Sequence, residues 1–228
     1  MPAQTFFNLP EKKRKRIEDI ALREFAHHPY SRASVSRVAR EARIAKGSIY
    51  QYFADKKDLY FYLAKQAAQA KMDFLASRAN LDWSDFYGSY ARMMLAGVEF
   101  QIACPLQVRL LTQTLSGPFR DELYGDLRNM AGDYTGQLIQ EAQKAGQVRT
   151  DLPVDMIAFF FHVLTMEFGN FLLKKAGLEL EDLRLKRNRD RIMKMNLPQM
   201  VEGFMSLLKE GLLPPGRQYP GTRREGLK

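Results

Sequence analysis

Apolar residues recur at three- and four-residue spacing along almost the whole chain, and strictly alternating runs with hairpin turns are absent. The pattern predicts an all-α protein of about nine or ten helices without a fixed-period repeat. The first helix is expected after Asn8-Leu9-Pro10-Glu11: Asn8 would cap, Pro10 suits a first turn, and Glu11 would return the capping-box bond. Ile17, Ile20, Ala21 and Phe25 form its apolar face, and Pro29 ends it. Two short helices follow, near 34–41 and 45–52. A long one opens at Asp55, with Asp58 supporting the cap, and runs to about 79. Further helices are expected near 83–103, 106–114, 118–145 and 153–176, punctuated by Gly117-Pro118 and Gly146. The charged stretch 179–195 reads as another helix or a partly ordered excursion. The last helix, near 198–211, opens on Asn196-Leu197-Pro198-Gln199, another capping-box arrangement. Residues 214–228, rich in Pro, Gly and basic side chains, read as a loose tail.

The two short helices, Ser34 to Phe53, have the small and apolar positions that a helix pair crossing at a fixed angle requires: Val38, Ala42, Ile44, Ile49 and Tyr52, with Ala39 at the crossing. Ala45, Lys46, Gly47 and Ser48 open the second helix. In a helix-turn-helix this is where the recognition helix meets DNA. Gly47 would let the backbone approach closely, and Ser48 with the free N–H groups suits phosphate. A plain helical hairpin inside a bundle would need the same apolar positions. The turn residue is Arg43, where a left-handed backbone costs a non-glycine residue about 1 kcal/mol.

Charge sharpens the reading. Residues 1–57 hold 13 Lys/Arg against 6 Asp/Glu, whereas residues 58–228 hold 22 against 20. The excess is confined to the first quarter of the chain, as in a polyanion-binding module on a near-neutral body, or in a solvated basic helix face. The single cysteine, Cys104, excludes an intramolecular disulfide and fits a cytoplasmic location. The longest uncharged apolar run, 156–166, is too short to span a bilayer, and the N-terminus lacks a signal-peptide core, so no membrane partner is expected.

From about Arg14 to Leu63 the sequence resembles the TetR family of bacterial regulators. The likeness is strongest in Ala45-Lys46-Gly47-Ser48-Ile49-Tyr50-Gln51-Tyr52-Phe53, followed by Asp55-Lys56-Lys57-Asp58-Leu59. The family has a Lys-Gly-(Ser/Thr)-x-Tyr-x-Tyr-Phe core and a second element carrying Lys and an acidic residue ahead of Leu. Arg43 stands where the family usually has glycine. The resemblance implies that Ser34 caps its helix and touches a phosphate, and that Ala45, Lys46, Gly47 and Ser48 face the major groove. It implies Tyr50 along the groove edge and Lys57 on the DNA backbone. Gln51 would read a base edge, since its amide pairs bidentately with adenine. Tyr52 would place its ring in the domain and its hydroxyl towards a phosphate, and Phe53 would be core. The run Lys12 to Arg16 would add phosphate contacts or form a solvated face.

By the same resemblance, residues 8–57 would be the DNA-binding domain and 58–213 a ligand-binding and dimerisation domain. The apolar residues of 153–176 project in all directions, so that helix should be buried on most sides. An interface built from Phe160, Leu164 and Phe171 with Phe204 and Leu208 of the last helix would satisfy it, as would the centre of a monomer. A homodimer implies a near-palindromic operator. A pocket for a hydrophobic or aromatic effector would draw on Met94, Phe100, Cys104, Leu111, Tyr124, Met130, Tyr134, His162 and Met166, each of which could equally be plain core. Nothing around Cys104 marks a low thiol pKa. No Gly-rich phosphate loop, GxSxG elbow or HExxH is present, and three histidines with one cysteine give no zinc spacing, so neither enzyme, cofactor nor metal is expected. The expected function is a repressor released from its operator by a small ligand. The alternatives are a helical small-molecule-binding protein or enzyme without DNA specificity, and a membrane-surface protein using the amphipathic Glu11–Phe25 segment.

Overall fold

Several helix starts in this protein sit where a polar side chain satisfies them. The computed structural model describes residues 2–80, 82, 84–123, 125 and 134–210, among which there is no strand. The elements are α1 (Gln4–Phe7), α2 (Glu11–His27), α3 (Val35–Ala42), α4 (Lys46–Tyr52), α5 (Lys56–Ala79), α6 (Phe86–Ala103), α7 (Pro105–Ser116), α8 (Tyr134–Lys144), α9 (Val154–Lys175), a 3-10 turn (Leu180–Arg184), α10 (Lys186–Met193) and α11 (Leu197–Glu210). The Ser34 hydroxyl accepts the Arg37 N–H at 3.3 Å. The Asp55 carboxylate accepts the Asp58 N–H at 2.8 Å, and Asp58 returns the favour to the Ala54 N–H at 3.1 Å. Asn196 caps α11 as expected, accepting the Gln199 N–H at 3.4 Å, while the Gln199 side chain bonds the Asn196 amide instead of its backbone.

Three expectations change. Asn8 does not cap α2. Pro10 occupies the cap position without a side-chain bond, and Asn8 instead closes α1, an element the sequence reading lacked. A four-residue helix is too short for periodicity to reveal; tertiary burial of Phe6 holds it, a contribution of about 2 kcal/mol. The stretch 179–195 is two helical pieces, because Leu185 is extended and Arg189 bonds the carbonyls of Leu183 and Arg184 that would otherwise face it. Of the helix expected over 118–145, residues 120–123 and α8 are helical. Residues 126–133 and the tail 214–228 lie outside the described residues.

Two apolar cores organise these helices. The first gathers Phe6, Ile17, Phe25, Val38, Ile49 and Phe53 with Leu59, Tyr60 and Leu63 of α5, and it also takes Leu110 of α7 and Leu123. The second joins α6, α8, α9, the 3-10 turn, α10 and α11 through Phe86, Met94, Leu138, Phe161, Phe168, Leu183, Ile192 and Val201. Helix α7 turns 107° from α6 at Cys104-Pro105 and leaves the second core to lie on the first. There Thr114 and Tyr60 share a 2.9 Å hydroxyl bond, and Gln113 donates to the Ala26 carbonyl at 3.1 Å. Within the second core, the Tyr90 hydroxyl on α6 donates to the Phe161 carbonyl of α9 at 2.5 Å.

By length and composition as a whole, α9 is apolar enough to cross a membrane, which the uninterrupted run 156–166 did not suggest. In this fold one side of it, Ile157, Phe161, Phe168, Leu172 and Leu173, is buried in the second core. The other side is open: Met156, Phe159, Phe160, Val163 and Phe171 are exposed, Phe159 to 69%. The sequence expectation of burial on most sides therefore holds only for half of the helix within one chain.

Candidate nucleic-acid interface

The geometry of α3 and α4 is set by two devices. The first is Glu24 on α2, which is 8% exposed. Its carboxylate accepts the Ser34 N–H at 2.6 Å and a forked pair from Arg37, Nε at 3.0 Å and Nη2 at 2.6 Å. This fixes the start of α3 on the end of α2. Burial works to raise the Glu24 carboxyl, but the Arg37 and Ser34 bonds and the charges of Arg37 and His28 outweigh it and hold the group below its ordinary 4.5. The associated stability is present above 4.5 and is lost as pH falls through the lower folded value. Glu24→Gln is expected to lower stability at neutral pH by about 2 kcal/mol, because it weakens a buried charge pair whose arginine is part-exposed. It should also flatten the acid limb of the thermal melting curve measured across pH. An acid limb identical to that of the unmodified protein would remove Glu24 from this role.

The second device is the turn. Arg43 adopts φ 57° and ψ 47°, the left-handed conformation expected of it. Its N–H bonds the Arg40 carbonyl at 3.1 Å, and the Ile44 N–H bonds the Ala39 carbonyl at 3.0 Å, so the carbonyls ending α3 are satisfied without glycine. Ile49 on α4 and Val38, Ala39 and Ala42 on α3 are buried against one another's helices, with Ile44 partly so.

What remains outward on α4 is polar. Lys46, Gly47, Tyr50 and Gln51 are exposed, and Ala45 before them is exposed too; Ser48 is half-buried. No side chain caps α4 at Ala45. A Cβ built on Gly47 would meet nothing within 4 Å, and its backbone is not left-handed. The chain itself therefore has no need of glycine at 47. The Thr5 hydroxyl of α1 donates to the Gln51 carbonyl at 3.1 Å, and the Ala3 N–H to that of Tyr52 at 2.8 Å, tying the end of α4 down.

Other sequence-derived positions fall differently. The Tyr52 ring is buried beside Phe6, with centroids 5.7 Å apart, and Phe53 is core. Ser34 spends its oxygen lone pair on the Arg37 N–H and keeps its own O–H to donate. Lys57 pairs with Glu122 at 2.6 Å and lies over the rings of Phe119 and Phe61 at 4.9 and 5.2 Å. Glu122 and a phosphate would compete for it.

Among the described residues, the positions expected to line a ligand pocket do not share one core. Met94 is buried in the second core, Leu111 lies against the first, and Phe100 is buried with its ring on Phe74 of α5. Burial pushes the Cys104 thiol up, as suits an inert thiol. Desolvation and then the nearby charge of Lys71 push the His162 imidazole down. Tyr124 and Met130, and the side chains of Tyr134 and Met166, lie outside the described residues.

Of the positions expected at a subunit interface, Phe160 and Phe171 are exposed, while Leu164, Phe204 and Leu208 are half-buried, Phe204 against Phe168 with centroids 5.1 Å apart. Met156, Phe159, Val163 and Leu207, which the expected interface did not include, are exposed as well. The three- and four-residue spacing of Met156, Phe159 and Val163 on α9 was visible, but an all-round apolar helix does not say which stripe faces out.

Comparisons with known proteins bear on the family and the fold. The family described as bacterial regulatory proteins of the tetR family matches residues 17–63. A crystal structure of a TetR family transcriptional regulator from Chloroflexus aurantiacus is 32% identical, covers 92% of this chain and 98% of its own, and superposes with a TM-score of 0.75. The transcriptional repressor AcnR of Corynebacterium glutamicum is 23% identical over 170 residues, 75% of this chain and 87% of that repressor. The regulator FadR of Bacillus subtilis, solved in complex with stearoyl-CoA, is 16% identical and shares the fold with a TM-score of 0.66, over 87% of this chain and 99% of its own.

Proposed function

The chain belongs to the TetR family of bacterial regulators, and on that premise we propose that it is a dimeric repressor whose paired α4 helices read a near-palindromic operator. It is a helix-turn-helix transcriptional regulator; the residues that touch DNA, the dimer and the effector are the proposal. The observation that carries it is the outward face of α4, where Lys46, Gly47, Tyr50 and Gln51 are exposed and glycine serves no need of the chain's own. Ala45 and Ser48 complete the face that enters the major groove, and Ser34 and Lys57 would hold phosphates on either side. The Tyr52 ring has a structural place, which leaves only its hydroxyl for the backbone.

We assign residues 8–57 to DNA binding and 58–213 to effector binding and dimerisation, in the cytoplasm where the operator lies. Two apolar stripes, Met156 to Phe171 on α9 and Leu207 with Phe204 and Leu208 on α11, would pair with their symmetry mates. Release would run through α7, which is rooted in the second core by α6 and rests on the first core by Leu110, Thr114 and Gln113. An effector that moves α6 would tilt α7 and change the separation of the two α4 helices. A fold relative solved with stearoyl-CoA supports a long apolar effector.

The test is fluorescence anisotropy with duplex from upstream of the protein's own gene and duplex selected from a randomised pool, each against a scrambled control at two salt concentrations. Tight, salt-sensitive binding to a natural or selected duplex over the control is expected. Equal, weak binding to all of them would overturn the regulator reading.

A further inference from the structure

Between α2 and α3 lies an open groove of about 780 Å³ whose rim carries Lys12, Lys15, Arg16, Arg23, Arg40 and Arg43, against two carboxylates, Asp19 and Glu41. All eight side chains are exposed, and Ile20 forms the floor. Several cations elsewhere have a carboxylate partner: Arg37 has Glu24, Lys57 has Glu122, Arg78 has Glu99 and Arg92 has Asp85. Here Arg16 donates to the Glu41 carbonyl at 3.2 Å, and among the described residues no carboxylate lies in ion-pair reach of Lys12, Lys15, Arg23, Arg40 or Arg43. Like charges gathered on one concave surface repel each other and destabilise the folded state unless an anion neutralises them.

The position of the groove identifies that anion. Arg43 is the left-handed turn residue that ends α3, two residues before Ala45 opens α4. The groove therefore begins at the turn that delivers the recognition helix and runs away from it along α2. When a recognition helix lies in the major groove, the helix before it crosses the DNA backbone. A strand leaving the major groove past that turn would meet Arg43 and Arg40, then Arg16, Lys12 and Lys15. Resting on the regulator reading above, we propose that the α2–α3 groove is a second phosphodiester seat, which holds the backbone of the duplex flanking each half-site. It reads no bases. It lengthens the grip beyond the base pairs that α4 contacts and adds to the salt dependence of binding.

The test compares two operators of the same selected core, one trimmed to that core and one carrying about one helical turn of arbitrary sequence on each side. The unmodified protein should bind the flanked duplex at least ten-fold more tightly. The variant Lys12→Ala/Lys15→Ala/Arg40→Ala should bind both equally and melt no lower than the unmodified protein, since these side chains have no partners to lose. Its slope of log affinity against log salt on flanked DNA should be shallower by up to about 5, for six phosphates per dimer at about 0.9 each. Its preference for operator over scrambled DNA of equal length should be unchanged. Flank-independent binding by the unmodified protein would overturn the second seat whatever the variant does, and so would an unaltered slope in a folded variant. Failure of the unmodified protein to discriminate operator from scrambled DNA would overturn the regulator reading itself.

Discussion

Gly47→Ala is expected to give a protein at least as stable as the original that no longer binds its operator. Glycine inside a helix is destabilising relative to alanine by about 0.5–1 kcal/mol, less in a first turn such as this one. A Cβ at 47 would touch nothing within 4 Å of the chain's own atoms, so the substitution meets no steric penalty in the free protein. On DNA the same Cβ would stand where the backbone of α4 approaches the groove. A displaced recognition helix loses contacts worth about 1–3 kcal/mol each, and a symmetric dimer loses them twice. Operator affinity should therefore fall by about 10²–10⁴-fold while the thermal midpoint holds or rises. Lys46→Ala and Tyr50→Ala, both exposed on the same face, should lose specificity with the fold intact. Thermal melting and operator titration on one preparation check the pair of outcomes. Retained affinity in Gly47→Ala would mean that α4 does not enter the groove by its first turn.

Much of this face was legible in the sequence because its determinants are local. Ser34 and Asp55 act on N–H groups three residues away, and the crossing of α3 on α4 needs only short-range apolar spacing. Arg43 could be placed in the left-handed turn because its neighbours on both sides were already assigned to helices. What escaped depends on distant partners. Periodicity marks α7 as amphipathic but cannot say that its apolar side serves the first core and not the second. The break at Leu185 follows from carbonyls captured by Arg189, a contact with no signature in the pattern. Asn8 and Pro10 looked like a cap because burial of Phe6, which pulls Asn8 into a different turn, could not be seen. Met94 and Leu111, expected to line one pocket, share an apolar character that is satisfied in different cores.

The distribution of unsatisfied surface then separates the two ends of the molecule. At the DNA-binding end exposed cations gather on the α2–α3 groove, and at the other end exposed apolar side chains gather on α9. Phe159→Glu, at the second of these, is expected to split the proposed dimer without unfolding the protomer. Phe159 is 69% exposed within one chain, and glutamate is a good helix former, so the fold of α9 should not suffer. In a two-fold interface each substitution is present twice. The change removes two aromatic burials of about 1.5–3 kcal/mol each and introduces two carboxylates that must be desolvated in the interface. A loss of about 5 kcal/mol weakens association by about 10³–10⁴-fold, enough to bring a nanomolar or tighter dimer to the micromolar range. A single α4 helix then has to find each half-site alone, without the millimolar effective concentration that its tethered twin enjoys, and operator affinity should drop by about 10³-fold or more. Light scattering after size exclusion should show a helical monomer at concentrations where the original is dimeric, and anisotropy should show the matching loss on DNA. A variant that remains dimeric and keeps its operator affinity would place the interface away from α9.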